Sequence, residues 1–159
     1  MDMLRYMNEG EEAMEPLVVT AAVIRKERKI LIAQRLAHGD HHLQWEFPGG
    51  KLEIGETPEE CLRREILEEL NLEIKVLDIF KVVYHAYKSK TILLLCYLCD
   101  FIGGEGAALA CNDFRWISLE EFLEFSYVEA DLPIVEKILK LDEMLFEIDE
   151  FGRTPYNRI

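Results

Sequence analysis

Apolar residues come in short β-rich blocks over Leu17–Ile24 and Ile30–Gln34, separated by the charged stretch Arg25–Lys29. That pattern predicts two strands joined by a polar turn, a hairpin. Further strands are predicted over Ile74–Val83, Thr91–Phe101 and Phe114–Ser118, and an amphipathic helix over Leu132–Phe146. A first helix is announced by Thr57-Pro58-Glu59-Glu60: Thr57 as N-cap, Pro58 pre-set for the first helical position, Glu60 closing a capping box. It should run to about Leu70 and end at Asn71, a residue that accepts the left-handed cap conformation. Between hairpin and helix lie the polar loop His38–His42 and Pro48-Gly49-Gly50. Those three residues predict a bend unsuited to a strand interior, one that brings backbone close to a neighbour.

The order strands, helix, strands, helix implies an α+β or α/β class with a mixed sheet. The chain has 159 residues, half of them apolar, which suits one domain and is too short for two ordinary ones. Residues 1–15 are acidic and without period, so they are expected to form a flexible lead. Order is expected over 16–146, and 147–159 is read as a tail that wraps the surface or stays loose.

A net charge of −13 argues against coating a nucleic acid polymer, because that affinity comes from lysine and arginine neutralising phosphates. No stretch approaches the roughly 20 apolar residues of a spanning helix, and the N-terminus is acidic where a signal peptide would be basic. A cytoplasmic protein without membrane contact is expected, acting as monomer or homodimer. Cys96 and Cys99 form a C-x-x-C, but inside a strand they point to opposite faces, so shared metal binding is not expected. The four cysteines read as buried thiols, and the four histidines lack zinc-ligand spacing.

On the first helix Leu62, Ile66 and Leu70 make an apolar stripe, while Glu65, Glu68 and Glu69 gather within one turn on what should be the opposite side. Like charges at these spacings destabilise a helix. An isolated acidic face is most simply a solvated one; the alternative is a hard divalent cation, since Mg²⁺ prefers carboxylate oxygens and shares them with substrate phosphates.

Context decides between these. Gly50, Glu56, Arg64, Glu65, Ile66, Glu68, Glu69 and Leu72 match, in order and spacing, the Nudix box: glycine, five residues, glutamate, seven residues, then Arg-Glu-aliphatic-any-Glu-Glu-any-Gly-aliphatic. The late glycine is Asn71 here. Ala33-Gln34-Arg35, Trp45 to Lys51, Arg115-Trp116 and Ala130 to Pro133 extend the likeness over roughly residues 17–141. The chain thus resembles the MutT-type branch of the Nudix hydrolases, which includes 8-oxo-dGTP diphosphatases and CTP pyrophosphohydrolases.

The resemblance implies an α/β/α sandwich around a mixed sheet and magnesium-dependent cleavage of a nucleoside triphosphate to monophosphate and pyrophosphate, with Mn²⁺ able to substitute. Glu65, Glu68 and Glu69 would hold the metal together with the main-chain carbonyl at Gly50, Glu65 being either ligand or general base. Arg64 and Glu56 would form a supporting ion pair. Arg35 and Lys51 are expected at phosphate. Phe47, with Trp45 and Tyr127, is either base-stacking or core. Asp131 would read a base edge, favouring an exocyclic amino group as on cytosine when ionised, or would cap the last helix. One departure is Ala110, where many members carry a metal-binding or basic glutamate; either Glu65 suffices, or Asn112, Asp113 or Glu105 fills in. Other readings are hydrolysis of another nucleoside diphosphate such as ADP-ribose, and a sensor that binds without cutting.

Overall fold

The hairpin forms as predicted: β1 (Leu17–Lys26) and β2 (Lys29–Gln34) are joined by Glu27 and Arg28, both at positive φ (48° and 62°). That two-residue geometry matches the right-handed twist of the flanking strands. Pairing between β1 and β2 covers only Arg25↔Ile30 and Lys26↔Lys29, after which the strands separate. Into the split run β3 (Trp45–Glu46), paired to β2, and β4 (Gly49–Lys51), paired antiparallel to β1. The glycine pair expected to make a bend is therefore a short strand. The close approach expected of it does occur: a Cβ at Gly49 would lie 2.0 Å from the Thr20 carbonyl oxygen.

The computed structural model describes residues 15–155. The expected lead over residues 1–14 and the last positions of the tail, 156–159, lie outside them. Among the described residues the sheet has seven strands in the order β3-β2-β1-β6-β5, with β7 (Asp113–Ile117) on β2. β5 (Glu73–Ala86) and β6 (Thr91–Gly103) form a long antiparallel hairpin, while β6 runs parallel to β1 from Leu17↔Ile92 to Arg25↔Asp100. The sheet is mixed, as expected.

Alternation along β1 feeds two cores. Ala22 and Ile24 pack with Leu62, Ile66 and Leu70 of α1 (Pro58–Leu70); Ala21 and Val23 pack with Ile134, Val135 and Ile138 of α2 (Leu132–Leu141). Cys96 falls in the second core and Cys99 in the first, so the C-x-x-C is split across the sheet as predicted. Helices on both faces give the α/β/α sandwich. No helix among the described residues is long and apolar enough to cross a membrane.

α2 ends earlier than its apolar period suggested. Asp142 adopts φ 51° and a 3-10 segment, Asp142–Glu147, follows. Tertiary contact overrides propensity here, because Arg25 of β1 donates to the carbonyls of Leu145 and Ile148 and to the Asp100 carboxylate. Through these bonds the chain after α2 is drawn across the sheet, with Leu145 and Ile148 in the core.

Candidate active site

α1 starts and stops as its sequence requires. Thr57 Oγ1 accepts from the Glu60 amide at 3.2 Å and Glu60 returns a carboxylate to the Thr57 amide at 3.1 Å. Asn71 sits at φ 52°, ψ 42°, its amide donating to the Leu67 carbonyl and its side chain to the Glu105 carbonyl at 3.0 Å. Asparagine thus does a glycine's conformational work and adds a tether to the loop before β7.

The three box carboxylates are not opposite the apolar stripe. Glu69 and Glu65 lie on its flank, half-buried, and only Glu68 stands in solvent. At about 100° per residue, positions 65 and 69 fall within one quadrant of residue 62, which brings both against β4. Glu65 abuts the Gly50 backbone so closely that a Cβ there would lie 2.2 Å from its carboxyl carbon; the glycine is what lets the carboxylate in. Glu69 faces a cavity, and its carboxyl is pushed up to about 8 by burial first, then by Glu65 and Glu46.

Arg64 organises the outer side. Its Nε and Nη2 donate to the two oxygens of Glu56 at 3.0 and 2.7 Å, a bidentate pair. This contact, aided by the Glu53 amide, holds Glu56 down to about 2. Arg64 Nη1 meanwhile reaches Glu65 at 3.0 Å and Glu68 at 3.3 Å. The guanidinium therefore shares the charge of the box, and among the described residues no three His, Cys, Asp or Glu side chains converge into a ready-made cation cage.

Gly50's carbonyl is already engaged: it accepts from the buried Thr20 hydroxyl at 3.1 Å. The bonds Ala22 N to Pro48 O and Leu52 N to Val18 O show that residues 48, 50 and 52 turn their polar groups to β1. Strand alternation then turns the Gly49 carbonyl the other way.

The cavity of about 210 Å³ is lined by β1 (Thr20), the residue after β2 (Arg35), the 46–50 segment, Glu69, the β5–β6 tip and the turn before α2. At its inner end Asp131 is buried and accepts from the Phe47 amide at 2.8 Å. Burial pushes its carboxyl up to about 8, against the pull of that amide. It makes no side-chain cap bond to α2, and its carboxylate takes the amide of Phe47, just past β3, instead. Phe47 lines the cavity while its ring clusters with those of Phe122 and Tyr127, the three centroids 6.2 to 6.4 Å from one another. Trp45 and Tyr127 are buried core residues away from the lining. Arg35 Nε donates to the Asp40 carbonyl and Nη1 to Glu46, each at 3.1 Å. Lys51 is exposed and does not line the cavity.

None of the residues around Ala110 reaches the cavity. Asn112 donates to Gln34, Asp113 pairs with Arg115, and the Glu105 backbone takes Asn71. The sequence reading gave no site role to the lining residues Glu46, His41, Tyr87 and Lys90. Glu46, a charge between two core aromatics, left a signal; Tyr87 and Lys90 belong to a hairpin tip whose position only the sheet decides.

A family model described as the NUDIX domain matches residues 14–138. A CTP pyrophosphohydrolase of Escherichia coli K12 is 34% identical over 128 residues, covering 80% of this chain and 95% of the relative. An 8-oxo-dGTP diphosphatase of the same organism is 30% identical over 129 residues, covering 80% and 100%. Among solved structures, that of the E. coli ORF135 protein superposes with a TM-score of 0.71 at 35% identity, covering 81% of this chain and 92% of that one.

Proposed function

The chain belongs to the Nudix family of hydrolases, and from that membership we propose that it cleaves a nucleoside triphosphate to a monophosphate and pyrophosphate with a divalent cation, magnesium by preference. One observation carries the reading: a single cavity is lined by the box carboxylate Glu69, with Glu65 behind the lining residue Gly50, and by a buried hydrogen-bonding carboxyl, Asp131. That arrangement suits a nucleotide, with phosphates at the acids and base at Asp131.

The donor set suits a hard cation. Gly50 is a cradle that only an absent Cβ leaves open to Glu65, and Glu69 is crowded by like charge that a cation would relieve. Glu65, Glu69 and the outward-turned Gly49 carbonyl are the best-placed donors, with Glu68 reachable once Arg64 releases it. When bound, the cation supplies charge neutralisation at phosphate and lowers the pKa of attacking water. Arg64, fixed by Glu56, orients the carboxylates. Arg35, anchored at Asp40 and Glu46, turns its remaining Nη2 to phosphate. Glu65, packed on the Gly50 backbone, is the group placed to take a proton, since no late-loop acid reaches the cavity.

The cavity favours a mononucleotide. About 210 Å³ is below the roughly 300–1,000 Å³ of most small-molecule pockets. That volume suits a base and sugar, with the phosphates at the open end. Asp131, protonated near neutral pH, donates to a carbonyl; ionised, it accepts from an amino group. Cytidine and oxidised guanine nucleotides are the pair to compare. The test is pyrophosphate release from CTP, dCTP, 8-oxo-dGTP and ADP-ribose with Mg²⁺ or EDTA. Mg²⁺-dependent release from a triphosphate, abolished in Glu69→Gln, is expected; cleavage of ADP-ribose alone would overturn the reading.

A further inference from the structure

We propose that Glu46 is the sugar contact of this site, its second carboxylate oxygen accepting a hydrogen bond from a hydroxyl of the nucleotide's pentose. The proposal rests on the nucleotide reading above.

Position comes first. Glu46 begins the segment that runs the length of the cavity: the next residue, Phe47, gives its amide to Asp131, and Gly50 lies against Glu65. The other neighbour of Glu46 is Arg35, the arginine assigned to phosphate, which donates to Glu46 Oε2. Glu46 therefore lies between the two ends. In a nucleotide the pentose is covalently between phosphate and base, so a ligand spanning those ends sets its sugar beside Glu46.

Chemistry points the same way. One oxygen, Oε2, takes Arg35 Nη1 at 3.1 Å. Oε1 has no hydrogen-bond partner among the described residues, and no buried side-chain oxygen among them lacks one. Oε1 is therefore not sealed inside the protein, and Glu46 lines the cavity with its side chain 31% accessible. Arg35 is itself fixed by the Asp40 carbonyl, so the acceptor is held in place before any ligand arrives. A fixed carboxylate oxygen is a strong acceptor for a hydroxyl and offers nothing to a deoxy position.

The test pairs protein and sugar changes. Wild type and Glu46→Ala are compared on CTP, dCTP and 2′,3′-dideoxy-CTP, and on the guanine set GTP, dGTP and 2′,3′-dideoxy-GTP. Binding of CMP, dCMP and 2′,3′-dideoxy-CMP is followed by calorimetry. Wild type is expected to lose about 10-fold or more in kcat/KM, and in affinity, at the step that removes the contacted hydroxyl. In Glu46→Ala that ratio should fall to within about 2-fold. A wild type indifferent to both hydroxyls overturns the proposal and leaves the hydrolase reading intact. A uniform loss in Glu46→Ala with the wild-type ratio kept also overturns it, and makes Glu46 an anchor for Arg35 only. Should Glu46→Ala not fold, Glu46→Gln, which keeps the shape and loses the charge, must show a reduced ratio. If no nucleotide is cut or bound by wild type, the hydrolase reading itself falls.

Discussion

Glu69 and Asp131 each line the cavity with a carboxyl raised to about 8, burial being the largest cause at both, but their neighbours differ. At Glu69, burial is joined by neighbouring carboxylates, Glu65 and Glu46 foremost. At Asp131 burial dominates, and the one direct partner, the Phe47 amide, pulls the other way. Repulsion among like charges is relieved by a cation; desolvation of a lone acid is relieved by a proton or a hydrogen-bonding base. In the proposed reading, Glu69 would belong to a phosphate end that takes a cation and Asp131 to a base end that serves recognition.

The sharpest way to break this comparison is Glu69→Gln. It should lower turnover on the order of 10²–10³-fold and weaken Mn²⁺ binding seen by electron paramagnetic resonance. Unchanged Mn²⁺ affinity would deny the phosphate end its metal. Asp131→Asn should do the reverse, shifting the ratio of kcat/KM between CTP and 8-oxo-dGTP by about 10-fold or more with Mn²⁺ binding intact; a uniform loss on both nucleotides would count against base recognition. Glu56→Gln loosens the bidentate grip on Arg64 and should weaken cation affinity by about 10–100-fold, with base preference unmoved.

Titration separates the ends more gently. Both carboxyls have raised folded pKa values, so between about pH 4, where the unfolded chain releases its protons, and about pH 8 the folded state holds more protons. The stabilisation is full below that range and is lost as pH rises through it. Without cation, Tm should fall from pH 5 to pH 8, less steeply in Asp131→Asn, and Mg²⁺ should restore the part due to Glu69 only. A flat Tm profile would contradict both assignments. The smallest effect belongs to the helix that carries the phosphate end: Thr57→Ala removes a capping-box partner and should cost about 1 kcal/mol, a Tm drop of about 2–4 °C, readable by calorimetry.

Local signals were legible because their causes are local. The capping box at Thr57 and Glu60, the left-handed Asn71, the hairpin turn and the alternation that splits Cys96 from Cys99 each depend on residues a few positions apart. Where distant contacts intervene, the pattern misled. α2 stops at Leu141 because Arg25 captures carbonyls beyond it, and Gly49-Gly50 become a strand because β1 lends them an edge. At the site the box singled out three acids but not how they face. Glu65 and Glu69 turn inward beside β4 while Glu68 stays in solvent, and Lys51 misses the cavity altogether.

By itself the sequence determined a mixed α+β chain, a capped helix bearing Arg64 with three glutamates, and the family those spacings define. Only the tertiary structure decided that Glu46, Tyr87 and Lys90 share a cavity with Asp131, and that Asp131 spends its oxygen on Phe47 instead of a helix end. The reason is physical: helix caps, turns and periods follow from sterics and hydrogen bonds within a few residues. The cavity's walls come from elements whose separation in sequence carries no information about their separation in space.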